Sequence, residues 1–461
     1  MSFLSRLNPF RRIASEPISR RSFEAAAGSR RGESFGRHFG SHGAETLAAG
    51  PTVRARARHA YANNGYVRNG VDAIVAEAVG AGIEANSAHP DRDTAARIDA
   101  AFFAADLDAE GRTDFRGMTA AAVLAELVDG EAFFVAETRD GRTVWRQLPA
   151  EFIDESDTRE LSDGYVAAGI HFNADGTRRA YTVRPQRPTD LYPTTSDPII
   201  VPADSMLHIF RPLGPGQVRG ISALAPILLT VNELDQALDA TLVGLKISAM
   251  FAGFVVDQSN MGGAAQAFPD ADSLTDISLE PGVMRVLPGG TDVKFASPEQ
   301  AKEQIAFARL TLGQIAAGLG VPQHLVDGDL SQANYSSLRA GLLPFRAKVE
   351  QFVYHTLVPQ FLDPIFRRFV TDEYLIERLD VDDLDSAQKV EWLPPRPMQV
   401  DPEKDMGAAE TALRLGLTSR RQAVATLGWN VAELDAEIAA DRAREARLGL
   451  SFGKGANDGQ E

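Results

Sequence analysis

Between residues 222 and 250 apolar side chains recur three or four positions apart, at Ile227, Val231, Leu234, Leu238, Leu242, Leu245 and Ala249. That period is one face of an α-helix, and Pro226 is tolerable in its first turn, where the missing N–H would have no partner. From Ser222 the pattern predicts about 28 residues of helix, roughly 42 Å at 1.5 Å each. A second helix follows. Ser297, Pro298 and Gln300 supply an N-cap, an N1 proline and a capping-box partner, and Ile305, Ala308, Leu312, Ile315 and Leu319 share one face. Between the two lies the loop-rich SNMGGAAQAFPDADS and then GVMRVLPGGTDVKFASP, where Val283 to Leu287 and Val293 to Phe295 flank a Pro-Gly-Gly turn. Two long helices therefore bracket a small β insert.

A third long helix is expected from Leu338, with Leu342, Phe345, Val349 and Phe352 spaced alternately by four and three. Pro344 falls inside it, removes the hydrogen bond to the Ala340 carbonyl and predicts a bend near residue 341; Pro359 and Pro364 predict further bends or breaks. Between the second and third helices stands the polar run DLSQANYSSLR. Upstream, Val67, Val71, Ile74, Val75 and Val79 mark an amphipathic helix, and another is expected near Met118 to Val128. GEAFFVAETRDGRTVWRQLP reads as a hairpin turning at Asp140-Gly141, and GIHFNADGTRRAYTV as another turning at Asp175-Gly176. Residues 60 to 215 thus predict one mixed α and β domain closed by a strand in VPADSMLHIF, with a sheet that is not simply parallel.

Composition sorts the function classes. A chain of 461 residues suggests about three domains, and its 44% hydrophobic content suits a globular protein. With no cysteine there is no disulfide scaffold, thiolate zinc site or thiol nucleophile, and an intracellular, reducing origin is expected. No apolar run reaches the roughly 18 to 20 residues that span a bilayer, and MSFLSRLNPFRR has too short an apolar core for a signal peptide, so a soluble protein without a membrane partner is expected. Residues 1–68 carry twelve arginines against four glutamates, a charge of +8, which leaves −24 for the rest of a chain whose total is −16. So acidic a body is a poor clamp for duplex DNA, whose grip on proteins comes largely from Lys and Arg. The first 53 residues, rich in Arg, Ser, Gly and Ala, read as a mobile basic arm.

Catalytic signatures are missing: there is no Gly-x-Ser-x-Gly elbow, no His-Glu-x-x-His and no Walker A loop. GPGQVRG at 214–220 has Arg219 where a dinucleotide fingerprint needs its third glycine. LDVDDLD at 379–385 lacks the order of an EF-hand loop and reads as solvated acid, and His208, His324 and His355 have no ligand spacing. A hydrolase using Ser336 or Ser337 with His324 would need a base held against the nucleophile, which no spacing fixes. No catalytic residue, metal or cofactor is expected.

Four blocks in order resemble the lambda-type family of bacteriophage portal proteins. They are RARARHAYANNGYVRNGVDAIVAEAVGAGI, VPADSMLHIFRPLGPGQVRGISALAPIL, LGVPQHLVDGDLSQANYSSLRAGLLPFR and WLPPRPMQVDPEKDMGAAETALRLGLTSRRQAVATLGW. The resemblance implies an α+β portal fold: a mixed wing at 54–221, antiparallel stem helices at 222–250 and 298–318, a β-containing clip at 251–297 and a tunnel loop at 319–338. A kinked channel helix returning to the wing at 339–404, crown helices at 405–448 and a disordered tail at 449–461 complete it. It further implies a homo-oligomeric ring of about twelve subunits at one capsid vertex. Double-stranded DNA would pass through it, weakly and without sequence preference, during packaging and ejection. Its implied partners are the terminase large subunit, the major capsid and scaffold proteins, and head-completion or tail adaptor proteins. The location would be the virion, and host cytoplasm during assembly. By resemblance Asp329, Ser331, Gln332, Asn334, Tyr335, Ser336, Ser337 and Arg339 face DNA, Pro344 kinks the channel helix, and Pro215, Gly216, Gln217, Arg219 and Gly220 form the junction before the stem. An adaptor or other ring protein of the same particle would fit the acidity but not the order of stem, clip and loop.

Overall fold

The computed structural model describes residues 40–184, 197–250, 254–256, 285–287, 298–331, 334–393, 395 and 402–450. Helix α1 (His42–Asn63), capped by Ser41, leads into α2 (Gly65–Val79), capped by Asn64. The arm expected up to residue 53 is thus helical from His42. The sequence period that places this helix is carried mostly by small residues, because Gly43, Thr46, Gly50, Ala57 and Ala60 share its buried side with Arg54. Strand β1 (Glu84–Ser87), α3 (Arg92–Phe103) and α4 (Phe115–Asp129) follow.

Strands β2 (Ala132–Arg139) and β3 (Arg142–Leu148) form the first expected hairpin; Asp140 (φ 53°) and Gly141 (φ 79°) both occupy the left-handed region that a tight two-residue turn demands. Five strands, β4 (Arg159–Leu161), β5 (Gly164–Ala167), β6 (Ile170–Asn173), β7 (Arg178–Val183) and β8 (Ile199–Pro202), make an antiparallel sheet in chain order. Strand β9 (Met206–Ile209) instead pairs with β2. The single strand expected in VPADSMLHIF is therefore two, divided at Ala203–Ser205 between different sheets. Strand β2 lies between two cores, so neighbouring Phe133 and Phe134, which point to opposite faces, are both sealed, each worth about 1.5–3 kcal/mol of burial.

Helix α5 (Leu228–Met250) starts six residues later than expected, because Ser222 Oγ donates to the Leu127 carbonyl and accepts the Leu224 N–H, which holds the chain in turns up to Ile227. Strands β10 (Phe254–Val256) and β11 (Arg285–Leu287) pair in parallel; Val293 to Phe295 lies outside the described residues. Helix α6 (Pro298–Leu319) returns with Pro298 at its first position, and Gly318 near its end stands against Ile227 at the root of α5, so the two helices run antiparallel.

After the short α7 (His324–Asp327), helix α8 (Tyr335–Phe352) passes through Pro344 unbroken. It continues as a π-helix at Val353–Leu362, which contains Pro359, and as α9 (Asp363–Leu375), where Pro364 occupies the first turn. Neither proline breaks the chain: Pro359 sits where the helix is already wound as a π-helix, and Pro364 at the point where it passes into α9. The rod buries Phe361 and Phe366, which with Phe102, Phe115, Phe369 and Trp392 form a cluster with ring centroids 4.9–6.4 Å apart. Helix α10 (Leu384–Ala387) and β12 (Val390–Leu393), which pairs antiparallel with β1, tie this part back to the first domain. Helices α11 (Pro402–Arg414), α12 (Arg420–Ala425) and α13 (Val431–Leu448) close the described chain.

Candidate functional site

The polar segment that follows α6 is only partly a loop. Asn334 caps α8: its Oδ1 accepts the Ser337 N–H and Ser337 Oγ accepts the Asn334 N–H, each at 2.9 Å. Tyr335, Ser336 and Ser337, expected in a loop that ends at residue 338, instead form the first turn of α8 and are followed there by Arg339, with Ser336, Ser337 and Arg339 exposed. The correction has a local cause, since an asparagine followed three residues later by a serine able to reach back makes the helix start early. Because the Ser337 hydroxyl also donates to the Asn334 carbonyl, it is engaged as a cap rather than poised as a nucleophile.

Before the cap, the loop is pinned to α6. Arg309 donates to Asp329 Oδ2 at 2.5 Å and to Ser331 Oγ at 3.1 Å, while Asp329 Oδ1 accepts the Ser331 N–H. The bonds from Ser331, followed by the Arg309 charge, hold the Asp329 carboxyl below its ordinary range. Arg339 pairs with Asp405 on α11 at 3.1 Å, and Pro344 lies exposed five residues further along α8. Gln332 lies outside the described residues.

The second group of expected residues, 215–220, closes over a buried ion cluster. Gly216 takes φ 75° in a turn after exposed Pro215, and the start of α1 lies against its carbonyl, where a Cβ at Gly43 would stand at 3.0 Å. Gln217 accepts the Leu213 N–H and donates to the Arg219 carbonyl. Arg219 donates to both oxygens of Glu131, to Glu155 and to the carbonyls of Ala150 and Ala168. Gly220 N–H reaches Glu131 as well, and no side chain fits there, because a Cβ would stand 1.9 Å from the Gly130 carbonyl oxygen. Arg54 adds bonds to Glu131 and Glu155, and His208 adds one to Glu131.

Charge balances in this cluster. Burial drives the His208 imidazole down to about 4, against the opposing pull of Glu131, so it is neutral at pH 7. Burial alone would raise the Glu131 carboxyl, but Arg219 and His208 outweigh it and hold it far below the usual range. Two arginines thus face two carboxylates. Arg219 was legible through the junction motif, but Glu131, Glu155, Arg54 and His208 were not; the one available signal was an acidic residue directly before the sealed run Ala132–Phe134. Among the described residues no group of three potential metal ligands occurs, and no helix is long and apolar enough to cross a membrane.

A family model for phage portal proteins of the lambda family matches residues 28–352, well over half of the sequence. The chain belongs to the lambda family of phage portal proteins. It is 23% identical over 317 residues to the probable portal protein of Halomonas phage phiHAP-1, an alignment spanning 66% of this chain but 60% of that relative, under two thirds of its length. It is 25% identical to the portal protein of Escherichia phage N15 over 51% of this chain and 49% of that one, and 24% identical to portal protein B of Escherichia phage lambda over 75% and 71%. Among solved structures, a chain in the neck of a native GTA particle computed with C12 symmetry has a TM-score of 0.41 at 15% identity, covering 82% of this chain and 94% of that one.

In this portal-family chain the long helices α5 and α6 leave apolar surface open. Of the stripe expected along α5, Ile227, Val231 and Leu234 pack into the core at its root, while Leu238, Leu242 and Leu245 are 37–53% exposed, as is Val243 beside them. On α6, Ile305, Phe307 and Leu310 are 58–67% exposed. Scattered apolar residues on a surface are ordinary, and this helix pair carries several of them.

Proposed function

We propose that the protein forms a closed ring of about twelve subunits at one capsid vertex, through which double-stranded DNA is packaged and later released. The observation that carries this reading is the exposed apolar face of α5 and α6 in a portal-family chain. Each subunit of a ring must present two different complementary faces to its neighbours, and long paired helices with open apolar sides supply them. In this reading residues 54–221 form the wing, 222–250 and 298–318 the stem, 251–297 the clip, 319–338 the tunnel loop, 339–404 the channel helix and its return, and 405–448 the crown. The segment from Asp329 to Arg339 faces the channel. Its serines and asparagine touch phosphates briefly, and Arg309 and Arg339 are each tied to a carboxylate, which suits a duplex that must keep moving.

The terminase large subunit, the major capsid and scaffold proteins, and head-completion or tail adaptors are the partners of such a ring, which also nucleates procapsid assembly. Its place is the virion. Class averages of the purified protein are expected to show closed rings with an axial channel; monomers or two-fold dimers at every salt concentration would overturn the reading.

A further inference from the structure

Helices α1 and α2 meet at Asn64, and two asparagines at this break reach distant parts of the chain. Asn64, itself nearly buried, uses both ends of its amide: Oδ1 accepts the Val67 N–H at 3.0 Å, and Nδ2 donates to Asp235 Oδ1 on α5 at 2.8 Å. One partner needs an acceptor and the other a donor, so only an amide in this orientation serves both. Just over one turn further, Asn69 Nδ2 donates to the Val326 carbonyl of α7 at 3.2 Å. Beside it, Gly70 leaves the surface of α2 bare where the end of α6 and α7 pack. A Cβ there would stand 2.7 Å from Leu319 Cδ1 and 3.3 Å from Val326 Cγ2. A cavity of about 390 Å³, lined in part by Tyr66, Asp235, Asp327 and Gly328, lies between α5 and the root of the loop. Both therefore register on α2 here.

We propose that Asn64 and Asn69 are positioning residues: from one helix break they fix the start of α5 and the loop root at Val326 in a single frame, and so set where the segment Asp329–Ser337 stands. The consequence for DNA rests on the reading of that segment as facing the channel. Asparagine suits both places for the same reason, since its short amide reaches a neighbouring element while its own backbone stays in, or at the start of, the helix.

Amide exchange on assembled rings tests this. Asn69→Asp puts a carboxylate against the Val326 carbonyl, and Asn69→Ala removes the donor without adding charge. Both should speed exchange of the Val326, Asp327 and Gly328 amides, which bond to the Gln323 and His324 carbonyls, by about tenfold, while the amides of β2 stay as slow as before. Asp235→Ala should speed exchange in the first turns of α5, and Asp235→Asn, which keeps a carbonyl acceptor, should restore it. Unchanged exchange at residues 326–328, or a rise spread evenly over the chain, would overturn the proposal. Nuclease-protected DNA in assembled particles should fall for the Asn69 variants. If their loop root loosens and the DNA content stays normal, the positioning role stands and the DNA-facing reading falls.

Discussion

The Arg219 guanidinium grips the Glu131 carboxylate through three contacts, Nε to both oxygens at 3.0 and 2.9 Å and Nη2 to Oε1 at 2.6 Å, with both side chains almost sealed from solvent. Removing the carboxylate would leave Arg54 and Arg219 to share Glu155 alone. Glu131→Ala is expected to cost about 3–5 kcal/mol per subunit in urea unfolding, and Arg219→Lys to be poorly tolerated because an ammonium cannot form the two-pronged contact. A loss below about 1 kcal/mol would show that the cluster contributes little to stability.

Acid should weaken the fold through His208. Its folded value of about 4 lies below its ordinary 6.5, so between these limits the unfolded chain binds a proton that the native one refuses. Stability therefore falls as pH drops from about 6.5 to about 4, by up to roughly 3 kcal/mol from this group, and the contribution is complete below that. Glu131 acts in the same direction, because its folded value is depressed and its contribution is lost as pH falls below the ordinary carboxylate range. His208→Gln keeps an amide donor for Glu131 and cannot titrate, so urea midpoints followed from pH 7 to pH 4 should fall less steeply than in the parent. Equal slopes would exclude His208 as the source.

On α8, burial separates two neighbouring residues of similar character. Phe345 is 4% exposed and Leu343 is 58% exposed. Phe345→Ala should cost about 3–5 kcal/mol, and Leu343→Ala about 0.5 kcal/mol or less, as read from chemical unfolding.

Phe307→Glu or Leu310→Glu places a charge on the open face of α6. Size-exclusion chromatography with light scattering should then report subunits that no longer assemble, while circular dichroism melts stay close to those of the parent, since neither side chain is in the core. Intact rings in both variants would move the subunit contact elsewhere.

Brief trypsin treatment should leave the chain uncut at Arg54 and Arg58. Arg54 and Arg58 are engaged with Glu131, Glu155, Asp129 and Glu151 within helix α1. Early cleavage at Arg54 or Arg58 would show that α1 opens readily.

What the sequence alone determined is whatever depends on neighbours along the chain. The period of valines and leucines, Pro298 at a helix start and the Asp140-Gly141 turn each follow from backbone sterics and one-face burial, which act over a few residues. The family was legible for a related reason, since its motifs are short and contiguous. Only tertiary structure decided the rest. Strand β9 left the sheet of β8 because β2 offered its open edge and a second core. Arg54, Glu131 and Arg219 meet across 77 and 88 residues of chain because isolated buried charges are too costly to stand unpaired, a constraint that becomes visible only when folding removes the water. The start of α8 lies between these cases: the Asn334 and Ser337 spacing that makes its cap was in the sequence, whereas the tie of Asp329 and Ser331 to Arg309 on α6 comes from the tertiary structure.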